Sequence, residues 1–230
     1  MNEHDFLAAC RHGHREAALY FLNQDDFDVN ERFPCGVSGT PAPGLYLAAQ
    51  EGHVGVIEVL LKSKELNVDQ TLWDGSTALF IASQEGHTEV VETLLKDKRV
   101  NVNHRLKDGS TALFMAAQEG HFDIVKMLLG YGADDRLGWR YWKLFSKSPL
   151  AIAQHQRTAF WRSDAAKRAE YGRITTLFKE QRSQSKKRRQ TSQPQHIKPI
   201  ETARETQVSV DMSALKVHID MPSSQDGSAK

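Results

Sequence analysis

Long apolar runs are missing from this sequence of 230 residues, and nothing in it approaches the roughly 20 apolar residues that a membrane-crossing helix needs. No membrane span is therefore expected. The first residues, Met1 to Asp5, also lack the basic stretch and apolar core of a secretory leader, so export by a cleaved signal is not expected either. Cysteine is scarce: Cys10 and Cys35 could form one bridge at most, and no Asn-x-Ser/Thr glycosylation acceptor occurs. A small disulfide-stapled scaffold is excluded, and the reducing cytoplasm is the expected compartment, with the nucleus as the alternative. Charge of one sign is missing too. Thirty Lys and Arg stand against 29 Asp and Glu, a formal net charge of +1, which does not suit a surface built throughout for nucleic acid. Nucleic acid is accordingly not an expected partner. Finally, there is no Gly-rich phosphate loop, no Gly-x-Ser-x-Gly, no His-Glu-x-x-His and no kinase signature, so no catalytic residue, cofactor or small-molecule substrate is expected.

What the sequence has is repetition. The segment Asp74-Gly75-Ser76-Thr77-Ala78-Leu79-Phe80 with Gln84-Glu85-Gly86-His87 returns as Asp108-Gly109-Ser110-Thr111-Ala112-Leu113-Phe114 with Gln118-Glu119-Gly120-His121. Leu45-Tyr46-Leu47-Ala48-Ala49-Gln50-Glu51-Gly52-His53 repeats the second half of that unit. Phe6-Leu7-Ala8-Ala9-Cys10 through His14 is a weaker first copy, and Ser148-Pro149-Leu150-Ala151-Ile152-Ala153 opens a degenerate last one. A fixed period of a few tens of residues points to a stacked array rather than to one closed core.

Each part of the unit carries a local instruction. Thr77 and Thr111 precede an apolar segment, where a hydroxyl can accept from the orphan amides of a first helical turn. Leu79, Ala82 and Ser83 then share one face of that helix. Gly86 supplies the left-handed residue that ends it, after which Val90, Val91, Leu94 and Leu95 form the apolar stripe of a second helix. The same stripe reads Val56, Ile57, Leu60, Leu61 in one copy and Ile124, Val125, Leu128, Leu129 in another. A polar-flanked valine follows each second helix, as in Asn67-Val68-Asp69 and Asn101-Val102-Asn103. Asp74-Gly75 or Asp108-Gly109 then signals a tight turn. The unit is helix, turn, helix and projecting hairpin-like loop.

The Asp-Gly-x-Thr-x-Leu opening, the Gly-His between the helices and the Val-Asn after them resemble the ankyrin-repeat family. The resemblance implies an all-α solenoid of about five stacked helix-turn-helix units with projecting hairpin loops. The units fall at about 3–35, 40–73, 74–107, 108–141 and 145–182, the first and last as caps. It further implies that His53, His87 and His121 are structural residues that bond neighbouring backbone, so no metal site is expected from them. Two insertions depart from the family pattern: one around residues 31–41, containing Phe33, Pro34 and Cys35, and one around residues 136–143.

With chemistry set aside, the expected function is non-catalytic protein binding by a monomeric scaffold or adaptor. The family resemblance places the contact on a concave strip and on the loop tips. Tyr46, Phe80 and Phe114 occupy one repeat position and either line that strip or pack between units. Leu72 and Trp73, with Leu106 and Lys107, put large residues at the tips, where packing does not demand them. Trp139, Arg140, Tyr141 and Trp142 combine the residue types enriched at interface hot spots, and either bind a partner or seal the end of the stack. Residues 183–230 hold five Lys and three Arg against three Asp and two Glu, with few large apolar side chains, and are expected to be a disordered basic tail. Its run Lys186, Lys187, Arg188, Arg189 resembles a short import signal, which makes a nuclear or nucleic-acid-associated adaptor the second reading. A third follows from the family alone: compact chains of this kind resemble host-directed effectors of intracellular bacteria.

Overall fold

The computed structural model describes residues 3–24, 26–34, 41–141, 145–158 and 165–191. The chain divides into two compact units, Met1–Arg189 and Gln190–Lys230, and the architecture that follows is that of the first. Among the described residues the helices come in five pairs: α1 Glu3–His12 with α2 Arg15–Leu22, α3 Gly44–Gln50 with α4 Val54–Leu61, α5 Ala78–Glu85 with α6 Thr88–Lys96, α7 Ala112–Glu119 with α8 Phe122–Gly130, and α9 Pro149–Thr158 with α10 Ala165–Thr191. The first helices of successive pairs lie side by side as an inner layer. The second helices from α2 to α8 do the same as an outer layer. This is an all-α repeat solenoid.

Local sequence dictates most of the helix ends. Thr77 caps α5 by accepting from the amide of Phe80 at 3.3 Å, and Thr111 caps α7 by accepting from Phe114 at 3.2 Å. Gly86 and Gly120 close those helices in the left-handed region, with φ of 84° and 88°. The two insertions fold as antiparallel hairpins. β1 (Arg32–Pro34) pairs with β2 (Pro41–Pro43), and β3 (Trp139–Tyr141) pairs with β4 (Phe145–Lys147).

The core is one continuous seam. Leu79, Ala82, Leu113, Ala116 and Ala117 from the inner layer meet Val90, Val91, Leu94, Ile124, Val125 and Leu128 from the outer, all buried. Small alanines on the inner helices let neighbours approach closely, and every unit dries its flank on the next. The first pair ends the seam with aromatics. Phe6 stacks edge-on against Phe27 at 4.7 Å and against Phe21 at 5.7 Å between ring centroids, filling the volume that a preceding unit would otherwise supply.

A second device holds the units in register. The Nε2 of His53 lies 2.8 Å from the carbonyl of Arg11, that of His87 2.9 Å from Gln50 O, and that of His121 3.0 Å from Gln84 O. A carbonyl only accepts, so Nε2 carries the proton in each case. Each ring also lies against the helix-ending glycine of the preceding unit. A Cβ on Gly86 would stand 2.6 Å from His121 Cε1. In the fifth pair Tyr171 takes the histidine's place: its hydroxyl donates to Gln118 O at 2.8 Å, and its ring covers Gly120. Arg173 adds a cation–π contact, 3.8 Å above the Phe122 ring.

One boundary differs from expectation. Rather than coil from residue 183, the chain continues as α10 through Thr191, and Lys186, Lys187, Arg188 and Arg189 fall within its last turns. The cause is local. Buried Tyr171, Ile174 and Phe178 anchor the helix, and the following run of Lys, Glu, Gln and Arg contains neither Gly nor Pro before Pro194. Extending an existing helix through good formers adds one hydrogen bond per residue fixed, whereas starting a helix anew is costly.

The glycine contacts predict a contrast between two substitutions. Gly132 also has a positive φ, 88°, but a Cβ there would meet nothing within 4 Å. Gly132→Ala should therefore cost only the backbone term, about 1 kcal/mol. Gly86→Ala carries the same term plus the collision with His121, for roughly 3 kcal/mol in total. Urea denaturation of the two variants measures the difference, and equal losses would show that the histidine contact contributes nothing.

Candidate functional site

The turns between helix pairs are built almost wholly from backbone hydrogen bonds. At residues 72–76 the amide of Leu72 donates to Ser76 O at 2.9 Å, the amide of Gly75 to Leu72 O at 3.1 Å, and Asp74 Oδ1 accepts from both the amide and hydroxyl of Ser76. Residues 106–110 repeat the pattern, with Leu106 N to Ser110 O at 2.9 Å and Ser110 N to Asp108 Oδ1 at 2.9 Å. The two turns also grip each other. The amide of Lys107 reaches Asp74 O at 3.4 Å, and His104 Nε2 reaches Gly75 O at 3.0 Å. The tips therefore form a preorganised row whose backbone groups are spent internally and whose outward side chains are left over.

Those side chains divide cleanly. Trp73 is 69% exposed, a large aromatic that the turn does not use. Leu72 and Leu106, the residues before the tips, are half-buried. Leu72 packs against the core, and Leu106 N closes its own turn. Lys107 is exposed at the tip beside Trp73, and Arg105 is exposed on the same loop. Arg105 escaped the sequence reading because nothing in the repeat pattern marks it. Neither cation has a partner carboxylate among the described residues.

The position shared by Tyr46, Phe80 and Phe114 requires a correction. These side chains are 9%, 7% and 3% exposed, so they are buried and offer no open strip to a partner. Tyr46 and Phe114 belong to the continuous apolar core, and Phe80 is covered as well. Burial and the Asp74 and Glu85 charges raise the Tyr46 hydroxyl above the usual phenol range, with burial the larger cause. Trp139, Arg140 and Tyr141 contribute their backbones to β3, the fourth loop of the series, while Trp142 lies outside the described residues.

Beneath the tips runs a ladder of side chains that the sequence marked only as recurring Val-Asn or Val-Asp. Asn30 Oδ1 accepts from the amide of Asn67 at 2.6 Å, Asp69 carboxylate oxygens from the amide of Asn101 at 3.0 and 3.2 Å, and Asn103 Oδ1 from the amide of Asp134 at 2.8 Å. Each rung ties one unit to the next. Burial raises the Asp69 carboxyl above its usual range, against the lowering effect of the Asn101 amide. Arg99 makes a further tie: it donates to Leu61 O and Ser63 O, both at 2.9 Å, satisfying carbonyls at the end of α4. Its hydrogen bonds to Asp97 hold that carboxyl below the usual carboxylate range.

Two other places hold groups with chemical potential. An open cleft of about 770 Å³ lies between the 132–136 loop and α10, lined in part by Leu129, Asp134, Arg136 and Arg182. Its guanidiniums are already neutralised, Arg136 by Asp134 at 2.9 Å and Arg182 by Asp135 at 2.6 Å. No group of three or more His, Cys, Asp or Glu side chains that could hold a metal occurs among the described residues. The other place is Cys10, which is buried, and burial pushes its thiol up to about 12. Cys35 lies outside the described residues.

A thiol raised in this way is a poor nucleophile at neutral pH, because the thiolate is the reactive form. In a Cys35→Ser background, native Cys10 should resist iodoacetamide at pH 8 and react only once denaturant opens the first unit. Its burial stabilises the fold fully below the unfolded value of 9.0, and that contribution is lost as pH rises through about 12. Rapid labelling of the native chain at pH 8 would contradict both statements.

Among curated proteins no match to this chain is found. The family model for ankyrin repeats matches residues 45–137 in three copies, the stretch that holds α3 to α8, their turn tips and most of the histidine ladder. No helix among the described residues is long and apolar enough to cross a membrane. Turn, capped inner helix, histidine tie and outer helix recur there in order, and residues 45–137 carry three ankyrin repeats.

Proposed function

We infer that this chain is a non-catalytic binding scaffold that captures a protein partner on its row of turn tips. Ankyrin repeats are generally protein–protein interaction modules, and the observation that carries the placement is Trp73, exposed at a turn that closes without it. An exposed Trp on a rigid tip loses little conformational freedom on binding, so its buried area converts into affinity with a small ordering cost. Lys107 and Leu106 on the next tip extend the contact, with Leu72 supporting Trp73 from below. The fourth loop, carrying Trp139, Arg140, Tyr141 and Trp142, supplies a second aromatic contribution in this reading.

The chain acts as a monomer, and its free, buried Cys10 suits a reducing compartment such as the cytoplasm. The basic run Lys186, Lys187, Arg188, Arg189 supports a nuclear variant of the same adaptor role. The helical setting of those residues in α10 means that an import receptor requiring extended chain would first have to unwind its last turns.

Selection of a random peptide display library on the full chain tests the placement. Peptides recovered on the native protein should bind Trp73→Ala at least about tenfold more weakly, a loss in the range of one hot-spot side chain. The melting temperature should stay within about 1 °C, because an exposed tip residue contributes little to stability. Selected peptides that bind Trp73→Ala and the parent chain equally well would place the site elsewhere.

A further inference from the structure

We propose that the last turns of α10, residues 182–191, form a basic helix that enters the major groove of duplex DNA and is held there by the phosphates of both walls. No turn-tip residue takes part, so this binding and the capture of a protein partner stand or fall separately.

Charge is concentrated at this end of the first unit. Between Gln181 and Ile200 six Lys and Arg occur without a single Asp or Glu, although the whole chain balances at +1. In about 0.1 M salt a charge is screened beyond roughly 10 Å, so a phosphate arriving here meets the local excess and not the balanced total. Two acids at the base of the helix are already neutralised, Asp135 by Arg182 at 2.6 Å and Asp134 by Arg136 at 2.9 Å.

The segment is also held in shape before anything binds. Tyr171, Ile174 and Phe178 are buried and anchor α10, and the Arg182 to Asp135 pair ties it once more to the loop of the preceding unit. Starting a helix is the costly step, and that cost is met by the core rather than by the ligand. Past Arg182 the helix leaves the stack. Ser183, Gln184 and Ser185 are all exposed, and three successive helical positions take in about 200° of the circumference.

The placement of the cations selects the occupant. Successive helical residues lie about 100° apart, so Lys186, Lys187, Arg188 and Arg189 occupy positions around the whole circumference of α10. A flat anionic membrane faces only about half of such a ring, and a helix that lies on a membrane also needs an apolar face. Lys179 to Thr191 contains no apolar residue. A groove, by contrast, offers phosphates on two sides at once. The major groove of B-form DNA is about 12 Å wide and 8.5 Å deep, and a helix with its side chains is about 10–12 Å across. The major groove of A-form RNA is too narrow to admit one. The end of a helix carries about half a negative charge, which opposes phosphate, but four cations within one turn outweigh it.

The probe is a fluorescein-labelled DNA duplex of about 20 base pairs and mixed sequence, titrated with the full chain and followed by anisotropy. Binding should be saturable, and the logarithm of the association constant should fall with the logarithm of salt with a slope of about −3 to −4, as for four phosphate contacts. The variant Lys186→Gln/Lys187→Gln/Arg188→Gln/Arg189→Gln should bind at least about tenfold more weakly, with a melting temperature within about 1 °C of the parent. Gln184→Pro keeps every charge but breaks the helix beyond its buried anchor, and should weaken binding at least about fivefold. An RNA duplex of the same sequence should bind at least about tenfold more weakly than the DNA. Unchanged affinity in the quadruple variant overturns the proposal, as does full affinity in Gln184→Pro or for the RNA duplex, since either would reduce the segment to a charge without groove fit. Co-sedimentation with phosphatidylcholine vesicles containing about 30% phosphatidylserine, lost in the quadruple variant and stronger than DNA binding, would overturn it in favour of a membrane. A polyglutamate chain that binds more tightly than the duplex would overturn it in favour of an acidic protein segment.

Discussion

A pair of helices eight or nine residues long has two apolar flanks and can dry only one of them by itself. Everything else in this chain follows from how the second flank is covered. Each unit lends its wet side to the next, so the core becomes a line of shared contacts, with Leu79, Ala82, Val90 and Leu94 facing Leu113, Ala116, Ile124 and Leu128. Apolar contact has little directional preference and would tolerate some slippage. Directional bonds supply the register. The histidine and tyrosine ties reach the preceding unit at the end of its inner helix, while the Asn30, Asp69 and Asn103 rungs act beneath the turns. The array is thus pinned along two separate edges.

A stack built this way must still finish. At the beginning, Phe6, Phe21 and Phe27 form a small aromatic cluster in place of a neighbour. At the other end the outer helix lengthens into α10 and exchanges the imidazole for the longer reach of Tyr171. A phenol spans more distance from backbone to hydroxyl than an imidazole does, so the same carbonyl can be met by a helix with no break before it. Arg173 over Phe122 and Arg182 on Asp135 then hold that helix to the unit before it.

The same economy leaves a working surface. Because turn carbonyls, amides and aspartates bond within the turns or to the adjoining ones, the tips are rigid without help from their outward side chains. Trp73, Arg105 and Lys107 carry no structural duty, and a binding module can vary such positions without disturbing the stack.

Much of this could be read directly from the residues. The repeat, the capping threonines, the left-handed glycines, the apolar stripes and the tight turns all express short-range rules, in which a residue's role depends on neighbours within one or two helical turns. Which large side chains face outward could not be read that way. Phe80 and Trp73 are only seven positions apart and equally apolar, yet one is sealed by an adjacent unit and the other is not. Tyr171 gave no signal either, since its partner Gln118 is 53 residues away and its chain position breaks the period. The extension of α10 was missed for a related reason: composition alone favoured coil, and only the anchoring of Ile174 and Phe178 in the core supplied a nucleus from which the polar run could stay helical. The amino-acid order determined the unit and how it folds locally. The packing of one unit on another decided what is buried, what is tied and what is left for a partner, because those contacts join residues that no local rule connects.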